Sequence, residues 1–196
     1  IFVNGKKIDQ MTTKLAEELG ISVIYQEFNN LPHLSIAENI FLGRQPLKKN
    51  GFIDWKKCYD ESRKLLKKVG LDLDPRIAVS KLKVAQQQMV EIAKVISKHA
   101  KVVVLDEPTS SLSEKEIDSL FEQVKKMKAA NTTMIYVTHR MAELPIICER
   151  CSIFRDGLKV AEYKVNEVSE QTIVNSMVGR ELGAYVKPEH TAKEEV

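Results

Sequence analysis

Two periodicities divide this chain. Short apolar runs at Ile21–Tyr25 (ISVIY), Val102–Leu105 (VVVL) and Thr133–Val137 (TMIYV) predict strands. Between them, apolar residues recur at helical spacing. Leu15, Ala16 and Leu19 predict a short helix, opened by Thr12 or Thr13 and closed by Gly20. Trp55, Cys58, Tyr59, Leu65, Leu66 and Val69 predict a longer one, capped by Asp54 and ended by Gly70. Ala85, Met89, Ile92, Ala93 and Ile96 form a third stripe, and Ile117, Leu120, Phe121, Val124 and Met127 a fourth. Ser35-x-x-Glu38 and Ser113-x-x-Glu116 are capping boxes that mark helix starts. Ser169 caps a last helix running through Met177. Phe2-Val3 and Lys7-Ile8 flank Asn4-Gly5, and Cys151–Arg155 and Leu158–Tyr163 flank Asp156-Gly157, so each set predicts a hairpin with a two-residue turn. Pro145 is expected to distort the helix after His139.

The stretch Lys101–Ser113, KVVVLDEPTSSLS, concentrates the chemistry. Four consecutive apolar residues, three of them β-branched, predict a strand buried on both faces. It ends in Asp106 and Glu107, then Pro108, which cannot donate to a ladder. Two acids therefore stand at the carboxyl end of a buried strand, where open α/β sheets bind ligands. Acids at such a place also serve simply to solvate the strand end or to cap the next element of the chain.

Composition narrows the classes. At 196 residues, 43% hydrophobic and 29% charged, the chain can build a core for one domain, or one domain with a subdomain. A net charge of +3 is too small to argue for nucleic acid as a partner. No apolar run approaches the roughly 20 residues that cross a bilayer. Three cysteines, Cys58, Cys148 and Cys151, are too few for a disulfide framework and suit a reducing compartment. Cys148-x-x-Cys151 has no second ligand pair, which favours packing over a metal or redox role.

The segment from Val102 to Ser113 resembles the Walker B strand and D-loop of the ATP-binding cassette (ABC) ATPases, an apolar strand followed by D-E-P-T-S-x-L. Three further matches fall in the family's order. Gln26, after the Ile21–Tyr25 strand, matches the Q-loop, and the IYQEFNNLPHLSIAENIFLGR run around it is similar throughout. Lys83-Val84-Ala85-Gln86 stands where the family has its signature motif, in the looser form of the sugar-importer branch, with Lys83 in place of serine. His139, after the TMIYV strand, matches the H-loop.

The resemblance implies an α/β, P-loop NTPase-like ABC core with a mainly parallel sheet and an α-helical subdomain at about 31–88. Residues 1–183 would form a partial nucleotide-binding domain, and 184–196 a linker toward a second cassette. It assigns Asp106 and Gln26 to Mg²⁺, largely through water, and Glu107 and His139 to the attacking water and the γ-phosphate. Lys83, Val84, Ala85 and Gln86 would meet the nucleotide held by the opposite half, and Ser111 of the D-loop the same shared site. A helix start with free N–H groups suits such a phosphate. The implied activity is ATP hydrolysis driving monosaccharide import of the ribose, galactose or xylose type. Implied partners are a second cassette, membrane permease subunits and, indirectly, a periplasmic or extracellular sugar-binding protein, with no nucleic acid. The implied location is peripheral, on the cytoplasmic face of the cell membrane.

One family motif has no match. No G-x-x-x-x-G-K-[ST] occurs, and the only Gly-Lys pair, Gly5-Lys6, lies in a predicted turn. The expectation is a sequence that starts after the P-loop of a first cassette. Two other readings stay open: a noncatalytic half that docks to a partner cassette, and a soluble cassette ATPase acting on ribosomes or DNA. The low net charge and the QQQMVEI run argue against the last.

Overall fold

The computed structural model describes residues 1–3, 5–27 and 29–179. Asn4 of the first predicted turn, Phe28 of the Q-loop match, and the expected linker at 184–196 lie outside the described residues. The described residues divide into two compact units that part between residues 139 and 140.

The first unit opens with a hairpin of β1 (Phe2–Val3) and β2 (Lys6–Lys7). Helix α1 (Thr13–Glu18) comes next, with the Thr12 hydroxyl accepting the Leu15 N–H. Gly20, at φ +77, turns the chain into β3 (Ile21–Ile24). A side chain at Gly20 would meet Lys101 at 3.3–3.5 Å as well as a strained backbone. The strand stops one residue short of the predicted Tyr25.

A helical block comes after it: α2 (Ile36–Ile40), α3 (Trp55–Lys68), a 3₁₀ turn at Val79–Lys81, and α4 (Val84–Ser97). The Ser35/Glu38 capping box is formed, and two more N–H groups of α2 donate to Ile77 and Pro75 carbonyls. Asp54 caps α3 through the Lys57 N–H at 3.1 Å. Gly70 closes that helix with the Leu71 N–H donating to the Leu66 carbonyl, a Schellman ending. Helix α4 packs against both α2 and α3, which buries Val90, Ile92, Ala93 and Val95.

The chain then runs through β4 (Val102–Asp106), α5 (Glu114–Ala129) and β5 (Thr133–Val137). These complete a parallel three-stranded sheet in the order β3-β4-β5. The fold is therefore mixed α/β, as the alternation of periods predicts.

The sheet corrects one expectation. The register places Ile24, Leu105 and Tyr136 on one face, and Val23, Val104 and Ile135 on the other. Ile24, Val103 and Leu105 are buried, and Phe121 of α5 meets Tyr136 edge-on at 6.5 Å. On the opposite face Ile135 is 50% and Val137 45% exposed. So β4 is fully buried on one face only, the face on which Phe121 of α5 meets Tyr136. Each buried aliphatic side chain contributes about 1.5–3 kcal/mol, against about 0–1 kcal/mol for an exposed ion pair. The closed face, rather than surface charge, holds the sheet.

The second unit contains a 3₁₀ turn at Met141–Glu143, α6 (Leu144–Ile147), the antiparallel pair β6 (Arg150–Arg155) and β7 (Leu158–Lys164), and α7 (Glu170–Val178). Asp156 and Gly157, at φ +51 and +77, form the predicted tight turn. Pro145 does not distort a helix. It lies in the first turn of α6, where its missing N–H costs no intrahelical bond. Leu144, Ile153 and Ile173 form the core of this unit, and Cys148 and Cys151 pack against it, neither of them in a disulfide. Among the described residues no helix is long and apolar enough to cross a membrane.

Candidate functional site

Parallel strands bring their carboxyl ends to one edge, and three of the singled-out positions sit there for that reason. Ile24, Leu105 and Tyr136 share a rung. Gln26 and Glu107 each stand two residues past it, and His139 three.

Asp106 is the last residue of β4, half-buried and paired in register with Val137. Glu107 continues the ladder by one bond, its N–H donating to the Val137 carbonyl at 2.9 Å. Its backbone then turns left-handed, at φ +45. For a residue with a Cβ this costs about 1–2 kcal/mol, and such outliers persist where the surroundings impose them. The Glu107 carbonyl accepts the Ser110 N–H at 3.2 Å, which closes a turn over Pro108 and Thr109, both buried. This turn sends the Glu107 side chain to His139, whose Nδ1 lies 2.9 Å from Oε1. An ionised carboxylate only accepts, so the proton of that bond resides on Nδ1. Glu107 is largely covered and His139 largely exposed, which leaves the imidazole edge open to a ligand.

Gln26, at the same edge, is exposed beyond β3. The other predicted residues occupy separate places. Ser111 is exposed in the loop before α5, whose start carries the formed Ser113/Glu116 box. Lys83 is the N-cap of α4, and Val84, Ala85 and Gln86 are its first turn. Lysine has no acceptor to cap with, so the cap is inverted: Gln86 Oε1 accepts the Lys83 N–H at 3.0 Å. The exposed Lys83 ammonium adds to the pull of the Ser113 N–H and hydroxyl that holds the Glu116 carboxyl below its usual range.

Two residues that the sequence reading includes in the Q-loop run but gives no role stabilise this frame. Asn39 is fully buried. Its Oδ1 accepts the Leu31 N–H at 2.7 Å, and its Nδ2 donates to the Leu31, Leu34 and Ser35 carbonyls. Arg44, exposed, donates to the Ile40 carbonyl and the Ser97 hydroxyl, joining the end of α2 to the end of α4. Beyond its place in that run, a polar residue inside an apolar helical pattern is the sequence signal for Asn39.

Asp106 and Gln26 offer one carboxylate and one amide oxygen, a sparse set that fits Mg²⁺, which keeps several waters and shares phosphate oxygens. Glu107 and His139 together suit the positioning of a nucleophilic water.

A family model described as ABC transporter matches residues 1–110. The chain is 44% identical over 190 residues to a "Ribose import ATP-binding protein RbsA 3" of Rubrobacter xylanophilus, covering 96% of this chain and 38% of that protein. It is likewise 44% identical over 190 residues to a "Galactose/methyl galactoside import ATP-binding protein MglA 1" of Photobacterium profundum, with coverage of 96% and 38%. The chain thus spans less than two-fifths of the length of these curated relatives. Among solved structures, it resembles the dimeric post-hydrolysis state of the ATP-binding cassette MJ0796 bound to ADP and Pi, with TM-score 0.68, 22% identity, and coverage of 84% of this chain and 72% of that one. The ADP conformation of the cassette MJ1267 matches with TM-score 0.70 and 20% identity, covering 89% and 74%. At these identities the structural likeness speaks for the fold.

Proposed function

This chain belongs to the ABC transporter family, and on that premise we propose that it forms part of the ATP-hydrolysing subunit of a monosaccharide importer. The observation that carries the reading is the Glu107–His139 contact at the carboxyl edge of the sheet. A half retained only for docking has no use for a left-handed Glu107 held against a histidine.

In this reading Glu107 orients the attacking water and takes up developing positive charge from it, while His139 fixes the carboxylate and presents its other edge to the phosphate. Asp106 and Gln26 hold Mg²⁺, largely through water. When bound, that ion neutralises phosphate charge. Lys83 through Gln86 serve the nucleotide of a second cassette, with Ser111 at the same seam. Residues 1–183 are then part of a nucleotide-binding domain with a helical subdomain at about 31–88, and 184–196 lead toward a second cassette. Permease subunits are the direct membrane partners and a sugar-binding protein the indirect one, with the assembly peripheral on the cytoplasmic face. The relatives' printed names, ribose and galactose import, support the substrate class.

The test is Mg²⁺-dependent ATP hydrolysis and ribose or galactose uptake by the protein joined to a phosphate loop and reconstituted with its permease. Hydrolysis without uptake of any monosaccharide would remove the transport assignment. No hydrolysis at all would remove the enzymatic one.

A further inference from the structure

Between α2 and α3 the chain makes a small rigid projection that the hydrolytic reading does not use. Leu47 and Ile53 form an antiparallel bridge, the Lys48 N–H donates to the Phe52 carbonyl at 2.8 Å, and the Asp54 N–H donates to the Pro46 carbonyl at 2.7 Å. Gly51, at φ +83, makes the tip turn. A nine-residue loop pinned by these bonds holds a fixed shape, so what it exposes is presented rather than left loose. Phe52 is 72% exposed and Leu47 64%. Trp55, the one tryptophan of the chain, is exposed at the base of the projection.

The charge along this stretch is mostly of one sign, although Lys57 lies 3.9 Å from Glu61. From Pro46 to Lys57 there are four lysines and one acid, Asp54, and that acid is committed to capping α3. Lys48, Lys49 and Lys56 are exposed, with no ion pair among the described residues. Large apolar side chains standing beside unpaired lysines match a surface that is apolar beneath and anionic at its boundary. Lysine stems can lie along such a boundary with the ammonium at the headgroups.

We propose that the projection from Pro46 to Lys57 is a membrane-contact element that docks on anionic lipid headgroups. The inference rests on the reading of this chain as part of a peripheral membrane ATPase, since that puts a bilayer within reach. The competing occupant is a cytoplasmic loop of a permease. Such loops carry an excess of Lys and Arg, which a lysine-rich tip repels, whereas the cytoplasmic leaflet is negative.

The purified protein is sedimented with vesicles of neutral phosphatidylcholine, or with the same vesicles containing phosphatidylglycerol, without nucleotide or permease. The assay therefore stands apart from hydrolysis and transport. Binding should favour the anionic vesicles, with each lysine adding about fivefold, and should weaken in high salt. The double variant Lys48→Glu, Lys49→Glu should lower partition about 25-fold or more, and Phe52→Ser several-fold, with the circular dichroism unchanged because all three residues are exposed. Trp55 emission should shift to the blue on anionic vesicles only. Equal binding to both vesicle types, or no loss in either variant, overturns the proposal. So does a photo-crosslinker at Phe52 that, in membranes, captures the permease instead of lipid.

Discussion

His139 Nδ1 stands 2.9 Å from Glu107 Oε1 across a separation of 32 residues. The crossover through α5 and into β5 closes that gap, because a parallel strand must return to the same edge of the sheet. Two local features complete the alignment. The Glu107 N–H is held by the Val137 carbonyl, and the left-handed turn at Glu107 directs the side chain across rather than along the strand. A general base held in one orientation and one depth is what water activation requires.

Substituting either partner should separate binding from turnover. In the protein joined to a phosphate loop, Glu107→Gln keeps the shape and should keep ATP binding, while hydrolysis falls about 10²–10⁴-fold. His139→Ala should also lower turnover, since it frees the carboxylate. Steady-state phosphate release and nucleotide binding, measured together, decide this. Near-normal hydrolysis by the Gln variant would take Glu107 out of its role.

Local signals were legible in the sequence, and non-local ones were not. The Ser35/Glu38 and Ser113/Glu116 boxes and the Asp54 cap are short-range hydrogen bonds, so spacing alone predicts them. The order of the carboxyl-edge residues is legible as well, because parallel strands fix it. Which faces of β4 are covered depends on what packs against the sheet from elsewhere in the chain, and an apolar run carries no record of that. Pro145 reads as a helix breaker until the helix start is known, and at Leu144 it becomes a helix starter. Nothing in the sequence marks Glu107 for a positive φ, since its neighbours impose that conformation.

Asn39 should be among the costliest polar residues to replace. Asn39→Leu fills similar space but leaves the Leu31 N–H and the Leu31 and Ser35 carbonyls without their side-chain partner. An unsatisfied buried group costs about 1–3 kcal/mol, so a loss of about 2–4 kcal/mol is expected. Urea unfolding measures it. A loss below about 0.5 kcal/mol, the level of an ordinary surface change, would show that the loop satisfies itself by other means.

Glu91 should make stability fall as pH rises. It is buried on α4, and burial pushes its carboxyl up despite Lys94 at 3.6 Å. With the folded carboxyl raised, the native state holds a proton that the unfolded state has released. That contribution is fully present below the ordinary carboxylate range and is lost as pH climbs through the raised value. Glu91→Gln cannot ionise, so its stability relative to the parent should improve between pH 4 and 8. Unfolding curves at both ends check the sign, and a gain that shrinks with pH would refute the assignment.

The 196-residue polypeptide by itself should bind Mg-ATP weakly and hydrolyse none. Its sequence holds no G-x-x-x-x-G-K-[ST] to cradle phosphates. In the proposed reading Glu107, His139, Asp106 and Gln26 would position water and ion, and they supply no backbone N–H nest. Calorimetry with Mg-ATP should give no micromolar isotherm, and micromolar affinity would mean that another segment provides the cradle.

Lys83 poses the sharpest question at the start of α4. It replaces the serine of the related motif, and with it both a hydroxyl for phosphate and an N-cap acceptor. Gln86 supplies only the reciprocal bond, accepting the Lys83 N–H, and among the described residues the first-turn N–H groups keep no side-chain acceptor. The ammonium, on a flexible stem, cannot copy hydroxyl geometry but can supply charge. A unit charge about 4 Å from a phosphate oxygen gains ~1 kcal/mol in water and ~4 kcal/mol at an effective dielectric of 20, before desolvation and ordering costs. Glu116 competes for the same ammonium, since Lys83 helps to hold that carboxyl low. In the two-cassette protein, Lys83→Ser should be tolerated, because serine restores both the hydroxyl and a cap. Lys83→Glu should impair ATP-driven closure, because it sets a second carboxylate beside Glu116 and against the incoming phosphate. Hydrolysis rates of the two variants settle the matter. If Ser and Glu give equal, near-normal rates, Lys83 takes no part in phosphate contact.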